Sequence, residues 1–375
     1  MNREPWELTA DLLKLRRWAV HVLTGRNSAT PPAVDDKTFD LFLRLERCAA
    51  ALADYIGTDI NPVLGAAAAR ETQSYLRAQV EGRELAVIAS NESTPVVVLK
   101  GGVHALRKAK PILPLSDIDI LVPESNIENT VALLEQHEIG QRALPTTRHT
   151  ALNADDRLTV EVHWSLSDDG RKVPAEVWSR LRPLDEGSAL KRLDAADHLL
   201  HVLEHAVLFH GNQSVSLRDA IVIGLSARDC SAGEMLRVRS AIALNSSSSH
   251  LQQHLDFSIA FVSGQPVDDP FIEGCATTYA ATALAPNLPG VMRSQSAVAF
   301  AVERELARVP WSWSLHNAAS FIGTGVESLA GLSNRYPRIA RALMSPAHLV
   351  YHNVVAVFVR PMLRSTARRA LASLQ

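Results

Sequence analysis

Three short apolar runs interrupt a chain that otherwise carries helical periodicity, and they constrain its fold more than any other feature. Val96-Val97-Val98-Leu99 is bounded by Pro95 and by Gly101-Gly102, and Ile118 to Val122 follows Pro111 and Pro114. In the third run, Leu158 to Leu166, Val160, Val162 and Trp164 alternate with polar neighbours. Short apolar runs between Pro and Gly read as buried strands, and alternation reads as a strand with two unlike faces. Helical spacing fills the rest. Residues 6–24 place Trp6, Leu8, Leu12, Leu13, Leu15 and Val20 among charges up to Gly25, and residues 35–56 and 62–90 continue after Pro31-Pro32. Between the second and third strands, residues 125–138 carry Ile127, Val131 and Leu134 at helical spacing. Beyond about residue 190 the periodicity is helical, broken at Gly211, Ser246 to Ser249, Pro266 to Pro270, Pro286 to Pro289 and Pro310. The expected fold is α+β: a core over 91–188, between an N-terminal helical segment (1–90) and an all-α C-terminal domain (189–375).

Composition narrows the function. Lys plus Arg number 38 against 40 Asp plus Glu, so a polyanion must be met by a local patch and not by the charge of the whole chain. Cys48, Cys230 and Cys275 lie far apart with no CxxC spacing, which favours a reducing compartment over a disulfide framework. Charges recur through MNREPWELTADLLKLRRW, so the start lacks the apolar core of a signal peptide. The apolar run Leu349 to Val359 is too short to span a bilayer and reads as a buried helix. A cytoplasmic location without a membrane span is expected.

Asp117 and Asp119 are two apart on a strand, so both side chains leave the same face while Ile118 and Ile120 enter the core. Paired anions in a half-buried strand call for a cation, and all-oxygen donors favour a hard ion such as Mg²⁺. Glu161 stands between Val160 and Val162, and a strand paired beside the Asp strand would bring it to the same patch. Three carboxylates suffice for two metal ions flanking a phosphoryl transfer. Upstream, Lys100-Gly101-Gly102 ends the first strand and leads toward a helix at about 103–109, where glycines admit phosphate close to the backbone. Lys100, Arg107 and Lys108 can add positive charge.

Leu99-Lys100-Gly101-Gly102, Asp117-Ile118-Asp119-Ile120-Leu121 and Val160-Glu161-Val162-His163-Trp164 together resemble the DNA polymerase β nucleotidyltransferase superfamily. Within it they are similar to uncharacterised bacterial nucleotidyltransferases that pair KG and DID motifs with a later E-H-W. The resemblance covers about 65 residues. It implies a small mixed sheet with flanking helices, and transfer of an NMP from an NTP to an acceptor with release of pyrophosphate. It also implies Mg²⁺ (or Mn²⁺) on Asp117, Asp119 and Glu161, phosphates at Gly101 and Gly102, and acceptor activation by Glu161. The acceptor, a small molecule, RNA or protein, is not specified. Two departures from the pattern stand out: fourteen residues separate Gly102 from Asp117, and Ser116 precedes the acids.

Rival readings carry their own residues. His198, His201 and His205 recur along one helix, and His201-Val202-Leu203-Glu204-His205 matches an inverted zincin pattern, with His201 and His205 on zinc and Glu204 as base. A DxD glycosyltransferase would use the aspartates without needing Glu161, and a binding module would keep the fold without turnover. His163 shares the Glu161 face, as a substrate contact or a hydrogen-bonded structural histidine, while Trp164 belongs to the opposite face. Arg218-Asp219 can pair with the histidine helix. Arg360, Arg364, Arg368 and Arg369 form a basic helix face, solvated by default.

Overall fold

A computed structural model describes residues 4–284 and 361–374, apart from 27–29, 91–94, 108–109, 111, 144–148, 168–171, 210–214 and 246. The run 349–359, the breaks at Gly211, Pro286 to Pro289 and Pro310, and Lys108 and Arg360 lie outside the described residues.

The chain opens with four helices, α1 (Pro5–Leu23), α2 (Asp36–Glu46), α3 (Ala49–Ile56) and α4 (Pro62–Ser90). The continuous helix expected over 35–56 is two helices, because Arg47 takes a left-handed backbone (φ 50°) that ends α2. The α+β unit follows as β1 (Val97–Val98), α5 (Lys100–Leu106), β2 (Asp117–Leu121), α6 (Ile127–Gln136), β3 (Gln141–Arg142), β4 (His149–Asn153), β5 (Thr159–His163), α7 (Ala175–Ser179), β6 (Arg182–Pro183) and β7 (Lys191–Arg192). Helices α8 (Ala195–Glu204), α9 (Leu217–Arg228), α10 (Ala232–Ala243), α11 (Ser248–Val262) and α12 (Ile272–Leu284) follow, and, among the described residues, 361–372 are also helical.

The strands form one mixed sheet in the order β3-β4-β5-β2-β1-β7-β6. β2 runs parallel to β5 and β1 parallel to β7, and the remaining pairs are antiparallel. One face is apolar: Val98, Ile118, Ile120, Val160 and Val162 are buried beneath α4, α5 and α6. The other face carries Val97, Leu99, Leu121 and Leu193 under α7, and beside them the polar residues of β2 and β5.

A second apolar core joins the helices that precede the sheet to those that follow it, from Leu12 and Phe42 through Leu199 and Ile223 to Tyr279 and Leu363. α4, 29 residues and about 43 Å long, takes part in both, burying Leu64 and Ala67 among the helices and Leu85 and Ile88 against the sheet. Arg16 of α1 lies in the helical core at 1% exposure, bonded to Glu46 (2.8 Å), Asp269 (2.5 Å) and the Val215 carbonyl (3.0 Å). Glu46 also accepts the Leu217 N–H (2.7 Å) and the Tyr279 hydroxyl. Leu363, Thr366, Ala367 and Ala370 turn inward from the last helix, leaving Arg364, Arg368 and Arg369 outward.

Candidate active site

The β2–β5 register decides which acids meet. Asp119 lies opposite Glu161 and Asp117 opposite Thr159, so the parallel pairing puts Asp117, Asp119 and Glu161 on one face. Ile118 and Ile120 turn away into the core at 0% exposure. Asp119 is buried, while Asp117 and Glu161 are half-buried.

A single imidazole nitrogen links two of the acids. His163 Nε2 lies 2.9 Å from Asp119 Oδ1 and 3.2 Å from Glu161 Oε2, so its N–H is shared between them. Lys100 Nζ donates to the same Asp119 oxygen at 2.7 Å. Burial pushes the Asp119 carboxyl up, but Lys100 and His163 outweigh it and hold the group well below the usual carboxylate range. Glu161 follows the same logic: burial pushes it up, but the His163 hydrogen bond and the charges of His149 and His163 together bring it below its ordinary value. Asp117 is the exception, raised by burial and by the charges of Asp119 and Glu161, although Ser116 Oγ donates to it at 3.1 Å. Ser116 thus supplies a polar contact directly before the acids. The donor set suits a hard dication: all three acids offer oxygen, and the mutual repulsion felt at Asp117 is what such an ion would relieve.

Beside the acids a cavity of about 260 Å³ opens between the start of α5, the start of β2, the end of α8 and the start of α9. Lys100, Gly101 and Gly102 line it, yet not as the expected loop: they form the first turn of α5, which starts at Lys100 and not near Val103. Both glycines answer to space. A Cβ at Gly101 would lie 2.7 Å from Arg218 Nη2, and one at Gly102 would lie 3.0 Å from Val98 Cγ1. Lys100 has φ 50°, a strained value for a side chain of its kind, and its carbonyl accepts from His198 Nε2 at 3.1 Å.

The cavity's other cations come from outside the strands. Arg218 Nε (3.0 Å) and Arg47 Nη2 (3.3 Å) donate to one carbonyl, that of Pro114, and Ser216 and Asp219 lie on the same wall. Burial and the charge of Arg218 both press the Arg47 guanidinium below its ordinary range. An anion in the cavity would relieve that repulsion. Sequence reasoning missed Arg47 because it sits in a run that reads as one helix, and it gave Arg218 a helix-pairing role. The φ change at Arg47 leaves no mark in the hydrophobic pattern.

Other expected contributors lie elsewhere. Arg107 turns to Asp229 (2.5 Å) and Asp185 (3.7 Å), not to the cavity. His201, Glu204 and His205 do not converge on a common point for a metal ion; among the described residues the group able to do so is His149, Glu161 and His163. His201 is buried, with no hydrogen-bond partner for Nε2 among the described residues, and burial drives its pKa well below the ordinary range. His205 opens a short π-helical segment and faces the cavity. Trp164 is half-buried just past β5.

No helix among the described residues is long and apolar enough to cross a membrane. No curated protein and no solved structure matches this chain. From Arg47 to Ile223, a span that contains the acids of β2 and β5 and every cation of the cavity, the chain matches the model of a family described as uncharacterised nucleotidyltransferase.

Proposed function

We propose that the chain transfers a nucleoside monophosphate from an NTP to an acceptor, releasing pyrophosphate, with Asp117, Asp119 and Glu161 as the acids of the reaction. One observation carries this: the register that sets Asp119 against Glu161 on the face shared with Asp117, beside a cavity bearing Lys100, Arg47 and Arg218. The match to a nucleotidyltransferase family over the same residues supports it. The core is read as polymerase β-like, within the three-part organisation of 1–90, 91–188 and 189–375.

Asp117, Asp119 and Glu161 would hold Mg²⁺ (or Mn²⁺), which when bound polarises the α-phosphate and lowers the cost of deprotonating the acceptor. The chain's own groups do the rest. Arg47 and Arg218 bind the outer phosphates through charge-assisted hydrogen bonds, and Gly101 and Gly102 let those phosphates approach the first turn of α5. Lys100 Nζ, 2.7 Å from Asp119, keeps that carboxylate ionised and can turn toward the leaving pyrophosphate. Glu161 Oε2 takes the acceptor's proton, with the His163 N–H orienting it. The acceptor is a small molecule, RNA or protein.

The test is incubation with each labelled NTP and a cell extract, with Mg²⁺ or Mn²⁺, followed by asking what becomes labelled. Asp119→Asn and Glu161→Gln should each cut labelling roughly a hundred- to a thousandfold, the scale on which preorganised charge stabilisation is lost. Circular dichroism should be unchanged. Labelling that survives both substitutions rejects the assignment. Zinc-dependent hydrolysis and DxD glycosyl transfer gain no supporting observation.

A further inference from the structure

β4 brings to the site a residue that the three-acid scheme does not use. His149 pairs with His163 and Ala151 with Glu161, so His149 rises on the face that carries the acids. His149 Nε2 lies 3.9 Å from Glu161 Oε1, and its ring centroid is 4.9 Å from that of His163. One donor atom from each of His149, Glu161 and His163 lies within 4.8 Å of the others. Asp119 Oδ1, 2.9 Å from His163 Nε2, stands ready as a fourth.

We propose that His149, His163 and Glu161, completed by Asp119, form a binding site for a borderline divalent ion of the Zn²⁺ or Co²⁺ class, distinct in chemistry from the all-oxygen arrangement of Asp117, Asp119 and Glu161. Two imidazoles and two carboxylates suit such ions, whereas Mg²⁺ holds to oxygen and water. A tetrahedral ion with bonds of about 2.0–2.1 Å keeps its donors roughly 3.3 Å apart, so His149, Glu161 and His163 need to close by at most about 1.5 Å. The charges balance, since two carboxylates meet one dication. Binding at His163 Nε2 requires the ring hydrogen to move to Nδ1, and the N–H that now bridges the acids is replaced by the ion. Lys100 then becomes free to leave Asp119. The ion occupies part of the site to which nucleotidyl transfer is assigned, but its binding is measurable without turnover.

The probe is Co²⁺ titrated into the full chain and followed by visible d–d absorption. The expected result is an absorption band that Zn²⁺ displaces and a large excess of Mg²⁺ does not. His149→Ala should weaken Co²⁺ binding by roughly 100-fold or more, beyond what loss of an outer-shell partner alone brings. Asp117→Asn, outside the four donors, should keep the band. On the unsubstituted chain, diamagnetic Zn²⁺ should shift the imidazole resonances of both His149 and His163. No band, a band displaced by Mg²⁺, an unchanged affinity in a folded His149→Ala chain, or unmoved imidazole signals with Zn²⁺ would each overturn the proposal. A retained band with no NTP labelling would instead count against the transfer reaction alone.

Discussion

Arg218 and Gly101 form a pair in which one residue is small so that the other can be placed. With 2.7 Å between Arg218 Nη2 and a Cβ at position 101, Gly101→Ala moves the flexible end of the arginine and not the backbone. The variant should fold normally and bind NTP about tenfold more weakly, and Arg218→Ala should lose roughly 10- to 100-fold, as expected for hydrogen bonds from a charged donor. Isothermal titration with a non-hydrolysable NTP measures both. A different single-residue effect belongs to His254, which stacks on Phe271 at 3.7 Å and has no partner for either ring nitrogen among the described residues. Burial, then the charges of His250 and Arg16, push its pKa down to about 3, from 6.5. The unfolded chain therefore binds a proton that the folded one refuses, so this contribution to stability is full above about pH 6.5 and is lost as pH falls toward 3. Replacing the imidazole in His254→Phe should shrink the difference in unfolding free energy between pH 7.5 and pH 5 by about 2 kcal/mol, read from urea titrations at the two values.

At the scale of elements, strong patterns were readable and weak ones were not. α1 and α4 lie where their periodicity predicts, and the apolar runs mark β1, β2 and β5 because the residues they turn into the core must be apolar. β4 escaped because in His149-Thr150-Ala151-Leu152-Asn153 only Leu152 is a large apolar core residue, and with β4 went His149. The two-residue strands β3, β6 and β7 are set by their partners and not by their own residues. The acids were legible because period-two alternation is a local property; the arginines were not, because their meeting depends on helix packing. Packing also explains Gly224 in α9. A Cβ there would run into the Ser258 carbonyl oxygen and Val262 of α11, and backbone cannot swing aside as a side-chain end can. Gly224→Ala should cost about 1–3 kcal/mol by overpacking, visible as a lower urea midpoint with an unchanged slope.

Across the whole molecule, the helices before and after the sheet share one core, and Arg16 with Glu46, Asp269 and Tyr279 forms its polar centre. Arg16→Met leaves two buried carboxylates without their cation, at a cost of about 3–5 kcal/mol measurable by urea unfolding. The same centre reaches the cavity. Glu46 precedes Arg47 directly, and the backbone N–H it accepts belongs to Leu217, which precedes Arg218. One carboxylate thus ties together the two stretches of backbone that carry the guanidinium groups. A polyphosphate entering there would meet two cations whose backbones were already joined when the chain folded, which leaves less ordering to be done at the moment of capture.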